Sequence, residues 1–433
     1  MKLNYGKTFL LGFGFLGVSV LWLLYNSYVP IFLQAGNPEF QVSKATTVGF
    51  GLSAGLAGFI MTLDNIAALF IQPIMGVISD RTRTRLGRRM PYILAGAPIA
   101  AVAFILIPIA VNRIPAALSG QTGLLGGQLA FFMVVVGLML LAMAAFRTPL
   151  IALMPDITPS PLRSKANGVI NMMGGIGGIL ALFGGAFLYE VNKVLPFVVG
   201  AIILVLTALV VVWKIKESKE YTEESRTSER WWDTLKGIGA IPNEDRKSLV
   251  LILAAIFCWF VGYNSLETFF TSYGTFRLGV TESRASLMMG FFSVTFLAFS
   301  IPGGMLAERW GRRRTIITGL SVLTVLLVGA FFLPNATAIT AILFLGGMSW
   351  ALVNINSLPM IVDLAPSDRL CGTYTGLYYI SGTLAAIVGP ILNGAIIDAT
   401  GKNYNMIFIV APAFMVLAIA FMWFVTRGEA KTS

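Results

Sequence analysis

The sequence reads GVISDR at residues 76–81, followed by GRR at 87–89, and it reads GMLAER at 304–309, followed by GRR at 311–313. Each copy begins at the end of an apolar stretch and is followed by another apolar stretch. An acidic residue, a basic residue and a Gly-Arg-Arg triplet therefore recur at equivalent places. This recurrence indicates an internal duplication, with the chain built from two related halves.

A second pair of matching segments supports the duplication. It consists of DITPS at residues 156–160 and DLAPS at 363–367. Each follows the fourth apolar stretch of its half. Repeats of this kind place a substrate site between two halves near the middle of a membrane, where it can face either side in turn.

The apolar stretches are long enough to cross a membrane. The chain has 433 residues, of which 56 % are hydrophobic and 12 % charged, and its mean hydropathy of +0.80 lies outside the range of soluble domains. A helix that crosses the hydrocarbon needs about 20 apolar residues. We predict an all-α membrane protein with twelve spans, at residues 8–33, 47–78, 91–111, 128–151, 167–189, 194–213, 248–273, 285–306, 315–333, 337–361, 372–397 and 404–426.

The basic residues predict the orientation of these spans. Of the 31 Lys and Arg residues, 24 fall in the segments on one side of the predicted membrane and 6 on the other. The positive-inside rule places the richer side, with both termini, in the cytoplasm of a cell whose plasma or inner membrane holds the protein. Because the excess charge lies in short loops, it orients the chain and does not indicate nucleic-acid binding.

The only sustained charged segment divides the chain. We predict an N-terminal six-helix bundle at residues 1–213, a cytoplasmic central loop at 214–247 and a C-terminal six-helix bundle at 248–433. The loop is expected to act as a tether. Its apolar residues fit one face of a short helix at the membrane surface: Trp231, Trp232, Leu235 and Ile238.

The Gly-x-x-x-Asp-Arg segment with its following Gly-Arg-Arg resembles the loop motif of the major facilitator superfamily. A narrower resemblance is carried by residues 72–92, QPIMGVISDRTRTRLGRRMPY, which are similar to the sucrose–proton symporter group, its bacterial relatives and the glycoside-pentoside-hexuronide:cation symporters. The resemblance implies two pseudo-symmetric six-helix bundles. It also implies a monomeric secondary transporter without cofactor, which moves a mono- or disaccharide or glycoside with a cation, H⁺ or Na⁺, of which H⁺ is favoured.

The chain departs from these families at three places. Ile151 occupies the place of an arginine that plant sucrose symporters carry after the fourth-span proline, and Arg147 precedes that proline instead. Melibiose-type symporters carry paired aspartates in the second span, where this chain has Ala68 and Gln72. The identity of the coupling ion therefore does not follow from the resemblance.

Three ionisable residues lie inside predicted spans, where a charge costs about 2.5–3.5 kcal/mol. Asp64 is expected to bind the coupling ion or a sugar hydroxyl, or to be a structural partner of a neighbouring helix. Arg147 fits substrate binding, coupling or helix packing. Glu267 fits a functional site or a solvated position at the outer mouth.

A sugar site needs hydrogen-bonding groups for the hydroxyls and a flat apolar surface for the ring. Polar and aromatic residues share helical faces in several spans of both halves. Our candidate substrate-binding residues are Trp22, Tyr25, Asn26, Asn65, Asn171, Tyr263, Asn264, Trp350, Asn354 and Tyr378. The alternative is that Asn and Gly stripes are helix-packing seams and that Tyr and Trp near span ends are interface anchors.

The repeated charged loops suggest a cytoplasmic gate. A carboxylate can accept hydrogen bonds from the free N–H groups at the start of a helix. The family resemblance implies that Asp80 meets the eleventh span near Gly372 and, by the repeat, that Glu308 meets the fifth near Asn167. The candidate gate residues are Asp80, Arg81, Gly87, Arg88, Arg89, Asp156, Glu308, Arg309, Gly311, Arg312 and Asp363. The alternative is that these loops serve only membrane topology.

Two rival functions remain open. Drug or metabolite exporters of the same superfamily often have a Gly-Pro motif in the fifth span. Here residues 174–185 of the fifth span are rich in Gly but contain no Pro. A non-transporting sensor or a polytopic enzyme is the other rival. The sequence shows no metal-ligand cluster, phosphate loop or nucleophile with its base, and so predicts no enzyme. Cys258 and Cys371 predict neither a disulfide nor a metal site.

Overall fold

The structure is a computed structural model that describes residues 4–36, 48–158, 162–217, 243–365 and 371–428. Within these ranges twelve helices are long and apolar enough to cross a membrane, which confirms the predicted all-α class and span count. They are α1 (Tyr5–Gln34), α2 (Ala54–Arg81), α3 (Met90–Asn112), α4 (Gly126–Ile157), α5 (Lys165–Val191), α6 (Leu195–Lys214), α7 (Arg246–Phe276), α8 (Glu282–Trp310), α9 (Arg312–Phe332), α10 (Ala336–Val362), α11 (Thr373–Ala399) and α12 (Tyr404–Trp423). The predicted surface helix around Trp231 lies outside the described residues.

The start of α2 differs from the prediction, which placed it at residue 47. Residues 48–53 are not helical, and their N–H groups bond to carbonyls at the end of α1: Phe50 to Phe32 at 3.1 Å, Gly51 to Ala35 at 3.0 Å and Leu52 to Leu33 at 2.8 Å. The last carbonyls of a helix have no partner within it. This segment supplies that partner, and α2 begins only afterwards, at Ala54.

Two helices are irregular inside the membrane. α2 is interrupted at Thr62, which separates Ala54–Met61 from Leu63–Arg81. α5 contains a π-helical turn over Leu180–Gly184. Breaks and π turns of this kind are frequent at functional sites of membrane proteins. Apolar periodicity does not reveal either one.

The chain forms two compact units. The first comprises Met1–Ser53, Ile60–Tyr221 and Gly274–Gly290, and the second comprises Ala54–Phe59, Thr222–Tyr273 and Phe291–Ser433. α2 and α8 thus each begin in one unit and end in the other. The predicted domain boundaries at 213 and 248 stay a prediction.

Small residues bring the helices of the first unit together. A Cβ atom added to Gly177 on α5 would lie 2.5 Å from the carbonyl oxygen of Leu16 on α1. Membrane helices associate through such close backbone approach, because lipid chains are as apolar as the helices and supply no hydrophobic driving force.

The first turns of α8 also pack in the first unit. The Ser286 hydroxyl donates to the carbonyl of Leu182 at 3.4 Å, and Gly290 leaves room for the ring of Phe183. Lys193, in the loop before α6, lies near Glu282. Partial burial lowers the pKa of Lys193, and the charge of Glu282 opposes that shift.

Hydroxyl and amide groups join the helices of the second unit. The Ser265 hydroxyl on α7 donates to the carbonyl of Gly389 on α11 at 2.9 Å, and Ser381 on α11 donates back to Leu253 on α7 at 2.8 Å. Asn356 on α10 donates to the carbonyl of Gly303 on α8 at 3.3 Å. These side chains satisfy their own polar groups by bonding to the backbone of a neighbouring helix.

The contact at Gly177 predicts a stability effect. Gly177→Ala should lower the free energy of unfolding by about 1–3 kcal/mol, because the new methyl group overpacks the α1–α5 contact. Gly168→Ala on the same helix is the control, since no other part of the described chain lies within 4 Å of its added Cβ. Thermal unfolding in detergent measures both. Equal unfolding temperatures for the two variants would contradict this packing.

Candidate functional site

Five aromatic rings converge in the second unit, in what we call the aromatic cluster: Phe260, Tyr263, Phe292, Trp350 and Tyr378. Tyr263 on α7 and Trp350 on α10 stack with their centroids 4.6 Å apart and their planes 4° from parallel. Phe260 meets Trp350 edge-on at 5.8 Å and Tyr378 edge-on at 6.2 Å. Three of the predicted substrate-binding residues are therefore brought together by three different helices.

Polar groups lie beside the aromatic cluster. The hydroxyl groups of Tyr378 and Ser357 are 3.2 Å apart, and the amide of Asn264 donates to the carbonyl of Phe260 at 2.7 Å. Asn354 lies one turn after Trp350 on α10 and is half-buried. Glu267, also half-buried, lies close enough to Tyr263 for its charge to act on that hydroxyl. Flat apolar faces and hydrogen-bonding groups thus occur side by side.

The first unit carries a second group of predicted residues around Asp64, immediately after the interruption of α2. The amide of Asn65 donates to the Asp64 carboxylate at 2.9 Å. The charge of Arg147 acts on the same carboxylate. Asn65 and Arg147 thus both act on the Asp64 carboxylate.

Tyr25 on α1 belongs to the same group. Its side chain is fully buried near Asp64, and its hydroxyl has no hydrogen-bond partner among the described residues. Trp22 stacks against it at 5.7 Å. A buried hydroxyl normally has a partner. Among the described residues, the Tyr25 hydroxyl beside Asp64 is therefore an unsatisfied buried polar group.

Two glycines of α5 lie in a packing seam with α1. Gly174 and Gly178 face Ser19 and Leu23 of α1, at 3.1 and 3.2 Å from an added Cβ. Asn171 is exposed, and Asn26 on α1 is half-buried. Gly174 and Gly178 thus agree with the alternative given above, in which Gly stripes are helix-packing seams.

Ion pairs join the predicted gate residues of the first unit. Arg89, nearly fully buried, contacts Asp80 at 2.5 Å and Asp156 at 3.1 Å, and donates to the hydroxyl of Ser79 at 2.6 Å. Arg88 contacts Asp156 at 2.6 Å. α4 runs to Ile157, beyond its predicted end at 151, and this extension places Asp156 in its last turn.

The second unit repeats part of this arrangement. Arg312 pairs with Asp363, the counterpart of Asp156, and Arg313 donates to the carbonyl of Met422 at 3.0 Å. Arg81, Glu308 and Arg309 are exposed at the ends of α2 and α8. The contacts predicted for Asp80 near Gly372 and for Glu308 near Asn167 stay predictions.

The motif glycines have a conformational reason. Gly87 has φ +117° and Gly311 has φ +86°, backbone angles that residues with a Cβ rarely adopt. Both turn the chain sharply before the next helix begins. The backbone conformation therefore requires the glycine that opens each Gly-Arg-Arg triplet.

Glu217 is a residue that the sequence analysis missed. It follows α6 and accepts hydrogen bonds from the backbone N–H groups of Arg88 at 2.7 Å, Arg89 at 2.8 Å and Met90 at 3.1 Å. A carboxylate at the start of α3 satisfies free N–H groups and complements the helix dipole. In the sequence, Glu217 is one of several charges in the central loop, and no local pattern connects it with residues 88–90.

Glu217→Ala should lower the free energy of unfolding by about 0.5–2 kcal/mol, as loss of other helix N-caps does. It should also speed trypsin cleavage after Arg83 and Arg85, because the loop before α3 loses its anchor. Lys216→Ala, an exposed neighbour, is the control. Identical unfolding and cleavage in the two variants would show that Glu217 does not hold this loop.

Known proteins resemble this chain in sequence. An uncharacterised MFS-type transporter, YxiO of Bacillus subtilis (strain 168), is 28 % identical over 170 residues, covering 39 % of each chain. The chain thus spans about two fifths of the length of that relative. A sucrose transport protein of Arabidopsis thaliana is 29 % identical over 151 residues, covering 31 % of this chain and 24 % of the relative. The class H tetracycline resistance protein of Pasteurella multocida is 23 % identical over 350 residues, covering 77 % of this chain and 78 % of the relative.

Solved structures share the fold. A D-xylose–proton symporter has a TM-score of 0.67 at 15 % identity, covering 98 % of this chain and 97 % of its own. A mutant of the nucleoside transporter NupG also has a TM-score of 0.67 at 14 % identity, covering 96 % of this chain and 99 % of its own. The fold, with twelve candidate membrane-spanning helices among the described residues, is that of the major facilitator superfamily. The family model described as MFS/sugar transport protein matches residues 10–426, and the chain belongs to this family of multi-pass membrane proteins.

Proposed function

We propose that the protein is a secondary active transporter that moves a sugar or glycoside together with a cation, by alternating access, across the plasma or inner membrane. The observation that carries the proposal is the stack of Tyr263 on Trp350, with hydrogen-bonding groups beside it. The C–H face of a sugar ring packs against an aromatic face, while its hydroxyls need donors and acceptors.

The charged group around Asp64 supports coupling to a cation. A carboxylate inside a membrane span is costly and has a functional or structural partner by default. The chain contains no histidine, so proton transfer at neutral pH falls to carboxylates. Among the described residues, the Asp64 carboxylate accepts a hydrogen bond from Asn65, is influenced by the positive charge of Arg147, and belongs to no cluster of metal-ligating side chains. This environment favours H⁺ over Na⁺.

The remaining parts of the proposal follow from charge and family. Basic residues concentrate on one side of the spans, which supports cytoplasmic termini. The family model describes sugar transport, and one relative is named as a sucrose transport protein. We propose a monomer that needs no cofactor. The residue groups in which we place the substrate and the coupling ion are the aromatic cluster and the residues around Asp64.

Drug export is the second candidate, favoured by the match to the tetracycline resistance protein. Tetracycline carries hydroxyl and amide groups, so the polar groups beside the aromatic cluster fit either substrate. The match to the family model described as MFS/sugar transport protein, over residues 10–426, favours a sugar. Purified protein in liposomes, tested with labelled mono- and disaccharides, glycosides and tetracycline under proton or sodium gradients, separates the two functions. Uptake of a sugar driven by the proton gradient is expected; tetracycline movement without any sugar uptake would overturn the proposal.

Asp64→Asn should insert normally but fail to accumulate sugar above equilibrium, because the amide keeps the shape of the side chain and cannot carry the proton. Exchange of sugar across the membrane without a gradient should persist. Glu190→Gln is the control, since Glu190 is an exposed carboxylate at the end of α5. If Asp64→Asn concentrates sugar as well as the parent does, coupling does not pass through Asp64.

Trp350→Ala should raise the KM for sugar about three- to tenfold, the amount expected from losing an aromatic contact. Trp350→Phe should have a smaller effect, because it keeps an aromatic face. Trp213→Ala is the control, since this side chain on α6 is 74 % exposed. The stack is not a sugar platform if correctly folded Trp350→Ala keeps the KM of the parent.

A further inference from the structure

Both carboxylate oxygens of Asp398 accept hydrogen bonds from the start of α2. Its Oδ1 accepts a hydrogen bond from the N–H of Ala54 at 2.9 Å, and its Oδ2 accepts one from the N–H of Gly55 at 2.7 Å. Asp398 lies in the last turn of α11, and Ala54 and Gly55 are the first two residues of α2. All three residues belong to the second compact unit.

Small residues make this contact possible. A Cβ atom on Gly55 would lie 2.9 Å from the Asp398 carboxylate, and one on Gly394 would lie 2.5 Å from the carbonyl oxygen of Ala54. The backbones of α2 and α11 therefore approach each other directly. The carboxylate satisfies two of the free N–H groups at the positive end of a helix, where a negative charge is favourable.

The attached segment of α2 is short. Residues Ala54–Phe59 belong to the second unit, and the chain from Ile60 onward belongs to the first. The helix is interrupted at Thr62, and Asp64 lies two residues later. One piece of α2 is thus held on α11, whereas the other piece carries the membrane carboxylate.

We propose that Asp398 is a conformational latch, which holds the first turn of α2 on α11 in one state of the transport cycle and releases it in another. The interruption at Thr62 is the joint that lets Ala54–Phe59 change partners while the rest of α2 keeps its packing. At the opposite end of α2, the predicted contact of Asp80 would join the same two helices in the alternate state. The proposal rests on the proposed transport function, but its test needs no substrate.

The test measures how fast a thiol beneath the latch reacts. Ala57 is fully buried one turn beyond Ala54, and Ala100 is fully buried in α3. Each is replaced singly by cysteine after Cys258→Ser and Cys371→Ser, and labelling with a water-soluble maleimide is timed on purified protein. Asp398→Asn removes the charge and one acceptor, and Gly55→Ala pushes against the carboxylate. Thr400→Ala is the control, because its hydroxyl bonds to carbonyls of α11 itself.

Asp398→Asn should speed labelling at position 57 about tenfold, the population shift expected from losing a favourable helix-end charge. Gly55→Ala should speed it in the same direction, because the new methyl group displaces the carboxylate. Labelling at position 100 should stay unchanged, and Thr400→Ala should match the parent at both positions. Unchanged labelling at position 57 would overturn the latch. Equal acceleration at both positions would also overturn it, because Asp398 would then support the fold in general. Absence of sugar transport by the parent would refute the proposed function and leave this result intact.

Discussion

The hydrocarbon of the membrane offers no hydrogen-bond partner to a backbone N–H or carbonyl, and the architecture depends on this constraint. Each of the twelve described crossings is a helix because a helix pairs these groups within the crossing segment. The problem then moves to the helix ends, where the first N–H groups and the last carbonyls remain free. Residues 48–53 supply partners at the end of α1, Glu217 does so at the start of α3 and Asp398 at the start of α2. Such ends are suited to reversible contacts between helices, because a single carboxylate can make or release them.

The same constraint separates structural polar residues from candidate functional ones. Ser265, Ser381 and Asn356 bond to the backbone of a neighbouring helix, which accounts for their presence. The residues around Asp64 and beside the Tyr263–Trp350 stack are different. Packing alone does not require a membrane carboxylate, or a buried Tyr25 hydroxyl that lacks a hydrogen-bond partner in the described part of the chain. In the proposed function, a polar substrate would give the Tyr25 hydroxyl a partner. Ionisable side chains at membrane depth carry this kind of role in transporters generally.

Apolar length was enough to predict the twelve helices of the described residues, because it is a local property of the chain. The sequence predicts Tyr263, Trp350 and Tyr378 as substrate-binding residues on three separate spans. Their convergence depends on how α7, α10 and α11 pack, which the sequence does not show. The interruption at Thr62 and the late start of α2 were missed, since they arise from backbone contacts with no apolar signature. Glu217 was missed for a similar reason: its partners lie at residues 88–90, far away in the sequence. The glycines of α5 serve close packing with α1.

In the proposed mechanism, sugar moves together with a positive charge and Asp64 carries the coupling. Chain-specific support comes from the Asp64–Asn65–Arg147 group and the absence of histidine, whereas the relatives include both a sucrose transporter and a tetracycline resistance protein. The most direct measurement is the electrical current evoked by a sugar concentration jump on proteoliposomes adsorbed to an electrode. We predict a current of positive charge moving with the sugar, dependent on pH and lost in Asp64→Asn. A parent protein that binds and moves sugar without any current, or with a current that Asp64→Asn leaves intact, would contradict the mechanism.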